Sequence, residues 1–266
     1  MLHPIPVSDT WKKVGIDLIE LPQSRSGNRY CITLTDHFSK WPEAEPEPTK
    51  EAKQVASFLY KMILRHGCPE EIISDQGHEF SNQLIDLLEK LTGFKHKITS
   101  AYHPQSNGLD ERLNQTLKSK LQILVNDHMD DWDELIDNVL FACRSSRQVF
   151  TKCTPFLLMY GREARLQIDL PQVVEKDGQI SSEQEFDEKV KCMLELRAKV
   201  HSNALANIIK AQEQQKKQFD AKHNTNTKLK VGDKVLVKDM KNVERKGGKL
   251  NKLFPGERLI RTVRKD

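Results

Sequence analysis

Three carboxylates have the surroundings of a chemical centre. Asp17 interrupts the apolar run Val14-Gly15-Ile16-Asp17-Leu18-Ile19. Asp75 closes another short apolar run in Ile72-Ile73-Ser74-Asp75-Gln76-Gly77, and Glu111 opens a Leu-rich helical segment. The first two are separated by 57 residues and the last two by 35. A charge inside an apolar strand is costly to bury without a partner. Acids gathered without basic neighbours repel one another, and a hard divalent cation with oxygen ligands resolves that conflict. Carboxylates suit Mg²⁺ or Mn²⁺, whereas zinc favours Cys and His. Two such ions about 4 Å apart can serve the attacking and leaving oxygens of a phosphodiester. Each acid also has an ordinary explanation. Asp17 could face solvent on an edge strand, Asp75 is a natural turn residue, and Glu111 suits a helix N-terminus.

The elements that would position these acids follow from periodicity. Val14–Ile19, Tyr30–Thr35 and Trp41–Glu45 read as strands joined too closely for parallel crossovers, hence an antiparallel meander. Thr49 is the expected N-cap of a helix carrying Val55, Phe58, Leu59, Met62 and Ile63, stopped at Gly67. Glu71–Asp75 is a fourth strand, and Lys95–Thr99 a fifth. Between them Ser81–Leu91 is an amphipathic helix with Leu84, Leu87, Leu88 and Leu91 on its expected buried face. After a loop of turn formers, Leu109–Val125 is a helix with Leu113, Leu117, Leu121 and Leu124 inward. Helices near 132–147 and 155–160 follow. The sum is an α/β chain with a mixed five-stranded sheet and flanking helices. A polar stretch at 171–184 reads as a linker, 185–220 as a long polar helix, and Val231–Val237 as a strand of a small β-module.

Charge is divided unevenly. From Lys191 onward there are 20 Lys and Arg against 8 Asp and Glu, while the first 190 residues are net acidic. A basic tail on an acidic front suits a chain that meets nucleic acid at one end. No window approaches the ~18 apolar residues of a membrane span, and the first residues lack a signal-peptide pattern. Five scattered cysteines, none spaced C-x-x-C, favour reduced thiols over disulfides or a zinc site.

The chain resembles the integrases of long-terminal-repeat retroelements, especially the Ty3/gypsy-like branch and its host-domesticated relatives. The resemblance is carried by WKKVGIDLIEL (11–21), TDHFSKWP (35–42), ISDQGHEF (73–80), TSAYHPQSNGLDERLNQTL (99–117) and TPFLLMYGR (154–162). It runs over residues 4 to 170 and continues weakly through 231–238, and the 35-residue gap before Glu111 is the family's hallmark. It implies an RNase H-like fold with Asp17, Asp75 and Glu111 as catalytic metal ligands, and DNA 3′-end processing and strand transfer at one site. It also implies DNA contacts from Lys118, from Gln115 where some relatives carry lysine, and from Tyr102, Gln105 and Asn107 in the loop. Glu111, Gln115 and Lys118 share one helical face by spacing.

On this reading residues 1–10 are a linker remnant, 11–170 the catalytic core, 171–220 linker and long helix, and 221–266 a partial SH3-like module. The zinc-binding Cys and His pairs that precede the core in the family are missing, so no zinc is expected. Asp110 stands where the family more often has an apolar residue, and the expected aromatic and Gly-Pro-Tyr signals are lost from Phe254 onward. The expected partners are DNA and further copies of the chain, with no membrane and no small-molecule substrate, and the expected location is the nucleus, with the cytoplasm open. Besides an active strand transferase, the sequence allows a nuclease of the same fold and a catalytically silent, domesticated nucleic-acid-binding protein.

Overall fold

A computed structural model describes residues 5–99, 108–165, 183–223, 234–236 and 257–259. The chain parts into two compact units, 2–216 and 217–266.

In the larger unit, β1 (Lys13–Glu20), β2 (Tyr30–Asp36) and β3 (Pro42–Glu47) form the antiparallel meander. Helix α1 (Ala52–His66) leads to β4 (Glu71–Ser74), which lies parallel to β1. Helix α2 (Gln83–Thr92) leads to β5 (Lys95–Ile98), parallel to β4, giving the sheet order β3-β2-β1-β4-β5. The mixed five-stranded sheet expected from the sequence is therefore present. Then come α3 (Gly108–Leu124), α4 (Trp132–Ser145), α5 (Pro155–Tyr160) and α6 (Glu183–His223). In the smaller unit β6 (Lys234–Leu236) pairs antiparallel with β7 (Glu257–Leu259). Among the described residues no helix is long and apolar enough to cross a membrane.

Side chains alternate between the faces of a strand, and the sheet's cover is arranged accordingly. Val14, Ile16, Ile32 and Leu34 join α1 and α2 residues Val55, Phe58, Leu59, Met62 and Ile85 in one core. Ile19 and Cys31, on the opposite face, join Leu117 and Leu121 of α3 and Trp132, Ile136, Val139 and Leu140 of α4 in a second. Trp132 also donates from Nε1 to the Pro22 carbonyl at 2.7 Å, fixing the start of α4.

Three expectations need correction. Helix α1 starts after Glu51, which makes no side-chain cap, while Thr49 accepts instead from the Gln54 amide at 2.9 Å. In α2 the inward residues are Ile85 and Leu88, while Leu84, Leu87 and Leu91 are exposed. Successive helical residues are turned by roughly 100°, so two apolar stripes lie side by side on α2, and only one meets α1 and the sheet. On α3, Leu117 and Leu121 are buried as expected but Leu124 is half exposed near the helix end. Cys31, Cys68, Cys143 and Cys153 are free thiols, in keeping with the sequence.

Candidate active site on the β1–β4–α3 edge

The two-residue period of β1 decides where Asp17 points. Val14, Ile16 and Leu18 turn toward α1, so Gly15, Asp17 and Ile19 turn toward α3 and α4. On β2, Thr33 is the register partner of Asp17 and faces the same way. Between them stands Asn114, one helical turn beyond Glu111. Asn114 is 6 % exposed and its Nδ2 donates to Asp17 Oδ2 at 2.7 Å. Its Oδ1 accepts from Thr33 Oγ1 at 2.9 Å. The other carboxylate oxygen, Asp17 Oδ1, accepts from the Leu18 amide at 2.8 Å. Asp17 is thus held half-buried, and the first turns of α3 are tied to two strands of the sheet.

Parallel pairing places the second acid. Val14 lies beside Ile72 and Gly15 beside Ile73. Pairing ends there, and Asp75 follows directly after the last residue of β4, the strand next to β1. Just beyond β4, Asp75 Oδ1 accepts from the Gly77 amide at 2.9 Å, closing a tight turn. The preceding Ser74 is fully buried. Its Oγ donates to the Asp75 carbonyl at 2.9 Å and meets His96 Nε2 at 2.8 Å. Burial holds the His96 pKa below the usual imidazole value despite the opposing charges of Glu89 and Asp86, so the ring contributes a neutral hydrogen-bonding partner to this turn.

Glu111 lies in the first turn of α3, three residues before Asn114. Its side chain lies outside the described residues, as do Tyr102, Gln105 and Asn107. Gln115 and Lys118 are exposed on α3. His78 is exposed, and no group of three or more His, Cys, Asp and Glu side chains among the described residues could hold a metal. Asp17 and Asp75 offer carboxylate oxygens, donors that suit a hard divalent cation. Sequence reasoning passed over Asn114, Ser74 and His96. The only available signal was the spacing of Asn114 from Glu111, which puts both on one side of a helix.

The family model described as the integrase core domain matches residues 12–104. The retrovirus-related Pol polyprotein from transposon 412 of Drosophila melanogaster is 28 % identical over 243 residues, 89 % of this chain and 19 % of that protein. The transposon Tf2-3 polyprotein of Schizosaccharomyces pombe is 29 % identical over 244 residues, 90 % of this chain and 17 % of that protein. The chain therefore spans less than a fifth of the length of these curated relatives. Among solved structures, a chain of the simian T-cell lymphotropic virus intasome in complex with PP2A regulatory subunit B56 gamma superposes with a TM-score of 0.53 at 19 % identity. That match covers 68 % of this chain and 63 % of the other, and it shows that the fold is shared. Residues 12–104 are thus similar to the integrase core domain, and the chain shares its fold with that intasome chain.

Proposed function

We propose that the chain is a polynucleotidyl transferase in which Asp17, Asp75 and Glu111 hold one or two Mg²⁺ or Mn²⁺ ions, and that it processes DNA 3′ ends and joins them to target DNA. The observation that carries the reading is the Asn114 bridge. By bonding both Asp17 and Thr33 it ties α3, the helix that carries Glu111, to β1 and β2, and β1 in turn pairs with the strand that leads into Asp75. When bound, the divalent metal supplies charge neutralisation of the phosphate and lowers the proton affinity of the attacking oxygen.

The chain's own residues orient and exclude. In end processing a water oxygen forms a bond to phosphorus as the bond to the 3′ oxygen breaks, and that oxygen leaves with a proton as a hydroxyl. In joining, the 3′-hydroxyl attacks a target phosphodiester, so one P–O bond is exchanged for another and no external energy source is required. Asn114 fixes one face of the Asp17 carboxylate, and the Gly77 amide with the Ser74–His96 pair fixes the turn bearing Asp75. Lys118, exposed on the Glu111 face of α3, meets a DNA phosphate, with Gln115 and the loop residues Tyr102, Gln105 and Asn107 lining the DNA ends. The basic 221–266 segment adds sequence-independent DNA affinity. The core at 11–170 acts as a multimer with DNA, in the nucleus where that substrate lies.

The test is cleavage and joining of labelled DNA ends with Mn²⁺ or Mg²⁺ by wild type and Glu111→Gln. Products that are both cut and joined, and that disappear in the variant, support the reading. Cutting without joining assigns a nuclease. No reaction by wild type, with DNA binding intact, assigns the silent binding protein.

A further inference from the structure

The long helix α6 lies along the core with an unusual face. Residues 201, 204, 208, 212 and 215 follow at intervals of three and four, a single helical stripe, yet only Ala204 and Ile208 of them are apolar and buried. The rest make polar contacts. His201 Nε2 meets the Leu158 carbonyl at 2.8 Å and its Nδ1 meets Asp9 Oδ1 at 3.0 Å. Gln212 donates to the Ile5 carbonyl at 3.0 Å, and beside the stripe Asn207 donates to the Thr151 carbonyl at 3.2 Å. The stripe ends on α3. With its amide oxygen toward the guanidinium, Gln215 accepts from Arg112 Nη2 at 3.0 Å and Nη1 at 3.1 Å. The same guanidinium lies over the Phe150 ring, 5.3 Å from its centroid.

Arg112 directly follows Glu111. The first turn of a helix lacks partners for its amide groups and is where a helix frays. Here Arg112, which opens the following turn, is gripped in its plane by Gln215 and on its face by Phe150. Phe150 belongs to the α4–α5 connection, which α6 also holds through Asn207 and Thr151. We propose that α6 is a strut for the catalytic turn, with Gln215 and Phe150 as positioning residues that hold the start of α3 through Arg112. This rests on the metal-binding role proposed for Glu111, but the strut itself can be tested apart from it.

The experiment uses the full chain as wild type, Gln215→Ala, Phe150→Ala and Gln215→Glu, leaving Arg112 in place so that its charge near DNA is unchanged. Amide hydrogen exchange is followed across α3 and α1, together with single-turnover DNA cleavage and DNA affinity. Loss of the neutral–charged hydrogen bond is expected to raise exchange over the first turns of α3 by about tenfold or more, with α1 unaltered. Cleavage falls in proportion, while the DNA Kd stays within about twofold. Gln215→Glu, which gives Arg112 a charged partner, restores both. Unchanged exchange in both alanine variants overturns the strut, and so does faster exchange in α1 and α3 alike. Faster α3 exchange with an unchanged cleavage rate overturns the positioning role. If wild type cleaves no DNA, the functional reading fails while exchange still decides whether α6 holds the turn.

Discussion

Asn114→Ala is the sharpest perturbation of the candidate site. The wild-type amide makes a 2.7 Å bond to the Asp17 carboxylate and a 2.9 Å bond to Thr33, whose side chain is also buried. A hydrogen bond to a charged group contributes about 1.5–3 kcal/mol, a neutral one about 1 kcal/mol. The Thr33 hydroxyl keeps a second acceptor, the Asp17 carbonyl at 3.3 Å, so its loss is softened. The net cost should be ~2–3 kcal/mol, a fall in melting temperature of roughly 4–12 °C for a unit of this size. Loss of the bond to Asp17 Oδ2 should lower the cleavage rate at least about tenfold, the equivalent of 1.4 kcal/mol. The informative form is a double-mutant cycle with Asp17→Asn, read by thermal melting. If Asn114 acts through Asp17, the two losses will be strongly non-additive. Additive losses, or a variant that melts and cleaves like wild type, would refute the bridge as the organising contact.

Three further predictions concern the rest of the molecule. Glu43 is buried, which disfavours its charge. Its bond to His66, the charge of Arg144 and its bond to Trp41 nevertheless hold its pKa below the ordinary carboxylate value. Its stabilisation is therefore complete above the unfolded carboxylate pKa of about 4.3 and is lost as pH falls through the lower folded value. Glu43→Gln should cost about 3 kcal/mol at neutral pH and remove that acid-dependent segment from the stability curve. An unchanged curve would show that the cluster contributes nothing. Burial pushes the Cys31 thiol up to about 12, while Cys68 is exposed, so a maleimide at pH 8 should label Cys68 first and Cys31 only on unfolding; comparable rates would disprove this. Residues 221–266 hold 14 Lys and Arg against 5 Asp and Glu. Their removal should weaken DNA binding and flatten its salt dependence by about 2 or more in log–log slope, and an unaltered slope would sink the tail's role.

How far the sequence foretold this structure depended on the kind of signal. Strand alternation around Asp17 and the glycine stop at Gly67 are local, and both survived into the fold. The leucines of α2 misled because 84, 87, 88 and 91 make a better apolar stripe than 85 and 88, and only the neighbours of α2 could say which stripe is covered. Asn114 left almost no trace. A single asparagine in a helix is a poor helix former, and its partner Asp17 is 97 positions away. Glu43 read as an ordinary strand residue because its partners His66 and Arg144 come from two other helices. The docked face of α6 was invisible to hydrophobic periodicity for a simple reason: three of its five positions are His201, Gln212 and Gln215.

The position of Asn114 also has a geometric logic. Counting roughly 100° per residue, Glu111, Gln115 and Lys118 lie within about 60° of one another on α3. Leu117 and Leu121, both buried, centre about 100° to one side. Asn114 falls on the border between the two groups. That border must be polar, because it touches Asp17, and it must be well packed, because Leu117 is the next residue on the same side. An amide satisfies both demands without adding charge. Aspartate at 114 would set a second negative group against Asp17, and leucine would extend the apolar face over its carboxylate and remove the 2.7 Å bond from Asn114 Nδ2. Bonding Asp17 and burying α3 against the sheet are therefore not separable tasks: the same rotation of one helix sets both, and Asn114 is the residue that fixes that rotation.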